Sequence, residues 1–390
     1  MTEPHARVTF RRNQEAGVRI ERVRASWKDV EKVWKPWRRA RRLWRRGRNF
    51  AWSIWSSDDA SLRMRERPRV LVRVRAAGVN PVDTKWLYGD KVCAWMTGLV
   101  RSAVEGAGVG FDFSGVVERA DEGSGFEIGD EVFGLVPSDM IALKSNKMTF
   151  RQAASIGLCG VSVTQALDQF KSKFAPSPAL VIGASGGLGH MACQICAAEG
   201  ARVVGVCSRA NLEYVRSLGV EAAFPYDDDA ETLEQHLERA GYAGTFRIII
   251  DTVTSNAKED ARFDYESRLR PFATKDASYV KFGGTPGRWA MAHIIRLGVP
   301  LRGVGAPFWI YFYQCDRQLR YLADAFDRGD FVPTVADSFP FTDAGVRDAF
   351  ALVRSRHAVG KVVIDVDVDH TDTRTAASEI APPNGVARRA

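Results

Sequence analysis

Residues Ala179-Leu180-Val181-Ile182-Gly183-Ala184-Ser185-Gly186-Gly187-Leu188-Gly189 run from an unbroken apolar stretch into a glycine-rich turn. An apolar run without polar alternation predicts a strand buried on both faces, as in a parallel sheet. The glycines permit a tight turn and let the backbone approach an anion with no Cβ in the way. A helix predicted over His190 to Glu199 would aim its free amides at that anion. The stretch reads as a dinucleotide site, with Gly183, Ser185, Gly186, Gly187, Leu188 and Gly189 against the pyrophosphate. Taken alone, the same glycines are compatible with a plain structural turn.

The neighbouring segments decide between the two. Ala201-Arg202-Val203-Val204-Gly205-Val206-Cys207 is a second apolar strand, placed after a helix that Gly200 closes, which completes a βαβ unit. A helix around Leu212 to Leu218 follows, then predicted strands at Phe246 to Asp251, Ser278 to Phe282 and Leu301 to Val304. Strands alternating with helices predict a doubly wound parallel α/β sheet with its ligand at the carboxyl ends of the strands. Where an NAD site places Asp or Glu after the second strand, this chain has Cys207-Ser208-Arg209. Ser208 can donate to a 2′-phosphate and Arg209 can neutralise it, so the expected cofactor is NADPH. A solvated Arg at a helix start is the alternative.

The 390 residues suffice for two cores, and 45% of them are hydrophobic. No apolar run approaches the ~20 residues of a membrane span, and no signal-peptide core follows the start, so an intracellular protein is expected. The six cysteines are scattered, which argues against a disulfide framework or a four-cysteine zinc lobe. Cys193 and Cys196 form a CxxC among Met191, Ile195 and Ala197, where core packing is expected. The charge of +8 is concentrated in residues 1–50, which carry +11 and leave the other 340 residues at −3. That segment holds Trp27, Trp34, Trp37 and Trp44 at near-helical spacing, broken by Pro36. Three readings stay open: a transit segment, a basic helix that contacts an anionic membrane surface or nucleic acid, or a disordered extension.

From Ala51 onward an alternating strand, Arg69 to Arg75, leads into Ala76-Ala77-Gly78-Val79-Asn80-Pro81-Val82-Asp83. Gly110 to Glu118 and Phe126 to Gly134 follow. The motifs "AAGVNPVD", "GDEVFG", "GASGGLG" and "RHAVGK" stand in the order found in the medium-chain dehydrogenase/reductase superfamily. The chain resembles its zinc-independent quinone oxidoreductase branch, with Phe339-Pro340-Phe341 and Arg356 to Lys361 similar to reticulon-interacting mitochondrial oxidoreductases.

The resemblance implies a GroES-like β-barrel catalytic domain, closed by Lys361 to Asp365, with a Rossmann domain inserted. The expected division is a basic extension over 1–50, the first catalytic part over 51–150, an NADPH-binding domain over 151–315, the closing catalytic part over 316–367 and a flexible tail over 368–390. It also implies a homodimer and a mitochondrial location, a cytoplasmic one being the alternative. Cofactor contacts carried over are Ser185 to Leu188, Ser208 and Tyr226, Thr252 and Phe282, and His357, Ala358 and Val359, with Lys361 assisting.

Zinc members place Cys near Gly78 to Asn80 and a His-Glu pair at Phe111-Asp112. Neither Asn nor Phe suits zinc, so no metal is expected. Hydride transfer to a quinone or α,β-unsaturated carbonyl, as in enoyl reductases, fits a site without a Lewis acid. Asn80, Asp83 and Tyr88 are the candidate catalytic groups, with ordinary turn chemistry competing at Asn80 and Asp83. A catalytically weak NADPH-binding interaction protein is the alternative function. Two departures from the family are expected to matter: a shortened strand segment after Gly134, and the missing glycine in Asp251-Thr252-Val253-Thr254.

Overall fold

The computed structural model describes residues 5–10, 18–23, 68, 70–83, 110–135, 140–170, 177–253, 264–282 and 315–366. Within them, β1 (His5–Phe10) and β2 (Val18–Val23) pair antiparallel, Val8 opposite Ile20 and Phe10 opposite Val18. That pairing lies within the basic extension, for which the sequence left three readings open. The alternation Ala6, Val8, Phe10 carries a strand signal that the density of arginines conceals. The tryptophan segment, Tyr88, Cys93, the predicted strand at Leu301 to Val304 and the tail 368–390 lie outside the described residues.

Two larger sheets share the remaining strands. The first joins β3 (Val70–Val79), β4 (Asp112–Ala120), β5 (Glu131–Leu135) and β6 (Met140–Leu143) to β12 (Val335–Pro340) and β13 (Lys361–Asp365), in the order β12-β13-β3-β4-β5-β6. β13 pairs antiparallel with β3, Val362 opposite Val79, so the far carboxyl-terminal strand does complete the sheet begun near residue 70. The shortened segment after Gly134 still supplies a strand, the four-residue edge β6, which pairs with β5.

The second sheet is parallel throughout, ordered β11-β10-β7-β8-β9, from β7 (Pro178–Ile182), β8 (Arg202–Cys207), β9 (Ala222–Pro225), β10 (Phe246–Asp251) and β11 (Ala273–Lys281). The chain steps outward from β7 to β9, then returns to the other side of β7, which makes the β7/β10 boundary the switch point. Both faces of β7 are covered. Ala179 and Val181 pack into the core shared with α1 (Phe150–Phe170), α2 (Gly189–Ala198), α3 (Leu212–Ser217) and α6 (Asp316–Arg328). Leu180 and Ile182 pack with α4 (Leu233–Arg239) and α5 (Tyr265–Arg268). Two-sided burial is why the strand needs no polar residue. Cys193 and Cys196 are buried free thiols in the first of these cores, as expected.

α1 lies between the sheets, contributing Ala154 to the β3/β13 core and Val161 and Val163 to the core beneath the parallel sheet. Its Gly157 is set so close to β4 that an added Cβ would sit 2.4 Å from Asp112 Oδ1. The position therefore tolerates no side chain. We expect Gly157→Ala to cost about 1–3 kcal/mol of overpacking in urea denaturation; a cost below ~0.5 kcal/mol would mean that α1 is free to shift.

Candidate functional site

The glycine loop begins at the carboxyl end of β7, beside the switch point. Gly183 has φ of 78°, and a Cβ there would meet Thr252 Oγ1 at 2.4 Å, so both turn and packing require glycine. Thr252 Oγ1 in turn donates to the Ile182 carbonyl at 2.8 Å. The glycine missing from the Asp251-Thr252-Val253 turn is replaced by a side chain: the Asp251 carboxylate accepts from the Val253 amide at 2.9 Å and from Tyr279 Oη at 2.7 Å. After the turn, α2 starts without a side-chain cap. Among the described residues, the amides of Ser185 and Leu188 have no acceptor.

His190, which sequence reasoning used only to mark a helix start, holds this loop. Its Nε2 accepts from the Thr334 amide at 3.0 Å, which leaves the proton on Nδ1 to donate to the Gly186 carbonyl at 2.9 Å. Burial pulls its pKa down to about 4, so the ring stays neutral.

The other predicted cofactor contacts gather around the same strand ends. Ser208 is half-buried after β8, and Tyr226 is exposed after β9. Phe282 follows β11, and its amide donates to the Asp251 carbonyl. His357 is exposed, with Ala358 and Val359 half-buried, in the turn before β13. Gly360 bridges to Gly186, its amide donating to the Ser185 carbonyl at 2.9 Å, so this turn is strapped to the glycine loop.

Arg209 has acidic company that its sequence neighbours do not reveal. Its amide donates to Asp227 Oδ1 at 2.6 Å and its guanidinium is ion-paired with Asp228. Asp228 is held in place by the Ala230 amide and His236 Nε2, each at 3.0 Å. These contacts hold its carboxyl below the usual range, the Ala230 amide contributing most. An open hollow of about 560 Å³ lies here, lined by Arg209, Arg216, Phe224, Asp228, His236 and Arg239 among others.

The candidate catalytic residues lie in the other sheet. Asn80 precedes a helical turn in which Pro81 takes the first position; the Asp83 amide donates to the Asn80 carbonyl at 3.0 Å, and the Asp83 carboxylate accepts from the Asn80 backbone amide at 2.8 Å. Asp83 thus does the turn chemistry that competed for it, yet its Oδ1 is buried without a partner among the described residues. Burial is the largest influence on this carboxyl and Asp112 adds to it, against the Asn80 amide and Lys361; the result is a pKa pushed up to about 7.

Sheet register brings three strand ends together. Val362 lies opposite Val79 and Asp112 opposite Gly78, so Lys361, Asn80 and Asp112 meet at one edge of neighbouring strands. Lys361 Nζ donates to Asn80 Oδ1 at 2.6 Å and to Asp112 Oδ2 at 3.0 Å; Asn80 Nδ2 donates to the same Asp112 oxygen at 2.9 Å. The Leu158 amide holds Asp112 Oδ1 at 2.6 Å, and Cys159 Sγ lies 3.8 Å from Asn80 Oδ1. The side chains of Lys361, Asn80, Asp112 and Cys159 are all buried. The Lys361 ammonium is therefore already engaged, while its stem lies beside Gly187 of the glycine loop. Burial opposes its charge, but Cys159, Asp112 and Asp83 more than offset this, and the ammonium keeps its proton. Asp112 and Cys159 were missed; the close-packed Gly157 beside Cys159 is the one sequence trace of the contact. Tyr88 lies outside the described residues.

Two buried groups titrate oppositely over nearly one pH range. Asp83 keeps its proton in the folded state to about pH 7 and in the unfolded chain only to about 3.8, so the stability it contributes is lost as pH rises across that window. His190 protonates near pH 4 folded and 6.5 unfolded, so its contribution is lost as pH falls from 6.5 to 4. We expect the urea midpoint of Asp83→Asn to rise more steeply with pH between 4 and 7 than that of the parent, and that of His190→Gln to rise less. Parallel curves for all three proteins would show neither group titrating as described.

The profile for "Alcohol dehydrogenase GroES-like domain" matches residues 66–167, and that for "Zinc-binding dehydrogenase" matches 187–263. The protein "NAD(P)H oxidoreductase RTN4IP1, mitochondrial" of Mus musculus is 28% identical over 336 residues, covering 76% of this chain and 81% of its own. "Trans-enoyl reductase buaC" of Petromyces alliaceus is 29% identical over 217 residues, covering 48% of this chain and 57% of its own. Among solved structures, the quinone oxidoreductase from Coxiella burnetii superposes with a TM-score of 0.60 at 23% identity, over 77% of this chain and 91% of that one. With the glycine loop at the switch point, and a second sheet closed by a strand from beyond the parallel one, these matches agree: the chain belongs to the medium-chain dehydrogenase/reductase superfamily.

Proposed function

We propose that this protein is an NADPH-dependent reductase of quinones or α,β-unsaturated carbonyls that works without zinc. The observation that carries the reading is the strap between Gly360 and the glycine loop, after which Lys361 reaches from that loop to the buried Asn80–Asp83 turn. The loop fits the cofactor: Ser185 and Leu188 present open amides at the start of α2. Gly183 and Ser185 to Gly189 would hold the pyrophosphate. Ser208, Arg209 and Tyr226 would take the adenosine phosphate end; Thr252, Phe282, His357, Ala358 and Val359 would lie along the nicotinamide half. Bound there, the cofactor supplies a hydride.

The chain's own part is the proton. Asp83 retains one near neutral pH and is the group we assign to protonate the reduced acceptor, with Asn80 fixing the turn and Tyr88 as a further donor. Zinc independence is supported by the donor set. Asn80 and Phe111-Asp112 stand where zinc members have Cys and His-Glu, and a lysine ammonium already neutralises Asp112. A divalent ion would have to displace that charge. The mitochondrial location follows the printed name of the Mus musculus relative, and a homodimer follows the family resemblance. Among the described residues, no helix is long and apolar enough to cross a membrane.

The burial of Asn80 and Asp83, each 1% exposed, favours a second reading, an NADPH-binding protein with little turnover. One assay separates the two. We expect the purified protein to oxidise NADPH with at least one member of a quinone and enone panel; NADPH binding with no consumption on any of them would leave the second reading. Cofactor choice is tested at Arg209. A 2′-phosphate must compete with Asp228 for this exposed side chain, so Arg209→Gln should weaken NADPH by only about 1 kcal/mol and leave NADH unchanged. Equal losses for both cofactors would remove Arg209 from the phosphate site.

A further inference from the structure

One side chain links the glycine loop to the Asn80–Asp83 turn. Lys361 follows Gly360, the residue bridged to Gly186, and its stem lies so close beneath Gly187 that a Cβ there would meet Lys361 Cδ at 2.9 Å. Its ammonium, two bonds beyond that Cδ, ends on Asn80 Oδ1 and Asp112 Oδ2.

Asp112 has no slack. Its Oδ1 is held by the Leu158 amide, and its Oδ2 is shared by Lys361 Nζ and Asn80 Nδ2. The amide of Asn80 therefore has one orientation, oxygen toward Lys361 and nitrogen toward Asp112. The backbone N–H of the same residue holds Asp83 Oδ2. A displacement of Lys361 is thus passed through Asn80 to the carboxyl of Asp83.

We infer that Asp112 and Lys361 are positioning residues that couple occupancy of the glycine loop to the proton on Asp83. The inference rests on the reading of that loop as a dinucleotide site. Among the described residues, the charged and titratable groups facing Asp83 are Asp112 from β4, Lys361 from β13 and Cys159 from α1. Asp112 strengthens its hold on the proton and Lys361 weakens it. A pyrophosphate over Gly187 adds negative charge near Lys361 and offsets part of the weakening. Dinucleotide binding then draws a proton onto Asp83, and by reciprocity protonated Asp83 tightens the dinucleotide. A buried ion pair is a poor source of stability, since neutral groups of similar volume often serve as well. Positioning accounts for its presence here.

The test is the pH dependence of NADPH binding to the full-length protein, read by nicotinamide fluorescence between pH 5.5 and 8.5. We expect the ratio of parent to Asp83→Asn affinity to fall about fivefold from the acid to the alkaline end. The double variant Lys361→Met/Asp112→Asn removes both charges and strands neither. It should melt close to the parent and yet show the same flat dependence as Asp83→Asn. A double variant that melts normally and keeps the parent's pH dependence overturns the coupling alone. So does an Asp83→Asn protein with the parent's pH dependence. NADPH that fails to bind the parent at any pH overturns the dinucleotide reading and the coupling together.

Discussion

A buried ammonium must find acceptors, and the place where Lys361 finds them fixes how the two sheets of this protein meet. Its partners come from the edges of β3 and β4, its backbone belongs to β13, and the residue before it is bridged to the glycine loop of the parallel sheet. The Lys361–Asp112 pair is 3% and 0% exposed, so neither charge can be satisfied by water if the other is withdrawn. The contact thus sits where β13, β3 and β4, the amino-terminal half of α1 and the glycine loop come together. Gly157 in α1, Gly187 in the loop and Gly78 in β3 are points where an added side chain would crowd it.

The parts of the fold that could be read from the residues are those set by repetition or local stereochemistry. The apolar run Ala179 to Ile182 had to be buried on both faces, and the structure divides its odd and even positions between two cores. Gly183 announced a turn because only glycine takes its φ comfortably. Asn80-Pro81-Val82-Asp83 carried a helix-starting proline and a returning carboxylate within four residues. What stayed hidden depends on register between segments distant in sequence. Asp112 lies 249 positions from Lys361, and nothing beside either residue indicates the other. Asp227 and Asp228 reach Arg209 from 18 and 19 residues away. The second strand ends without an acid in sequence but with two carboxylates in space. The β1–β2 pair went unread because arginines outnumber the alternating apolar residues around it.

His190 and Asp83 illustrate how one kind of environment does two jobs. Both are deeply buried, and burial favours the neutral form of each, which drives an imidazole down and a carboxyl up. For His190 the neutral form is the useful one, since an accepting Nε2 and a donating Nδ1 are both needed to tie Thr334 to Gly186. For Asp83 the neutral form stores a proton. The fold thus has a loop anchor that stays uncharged and a carboxyl that holds its proton up to about pH 7, without any unusual residue at either position.

Fixed charge also sets the kind of chemistry this site suits. A metal ion has open coordination positions and can take a substrate oxygen directly, whereas the Lys361 ammonium is already engaged by Asn80 and Asp112, with Cys159 beside it. It can act on an acceptor only through its field and through the groups it holds, at a cost of one or more intervening bonds. Strong polarisation of a plain ketone is beyond such an arrangement. A quinone or an enone arrives already polarised, and a reduced acceptor of that kind needs a proton more than it needs a Lewis acid. On the function we propose, the same buried pair, which joins β13 to β4, favours an activated acceptor and leaves Asp83 as the group whose protonation state matters most.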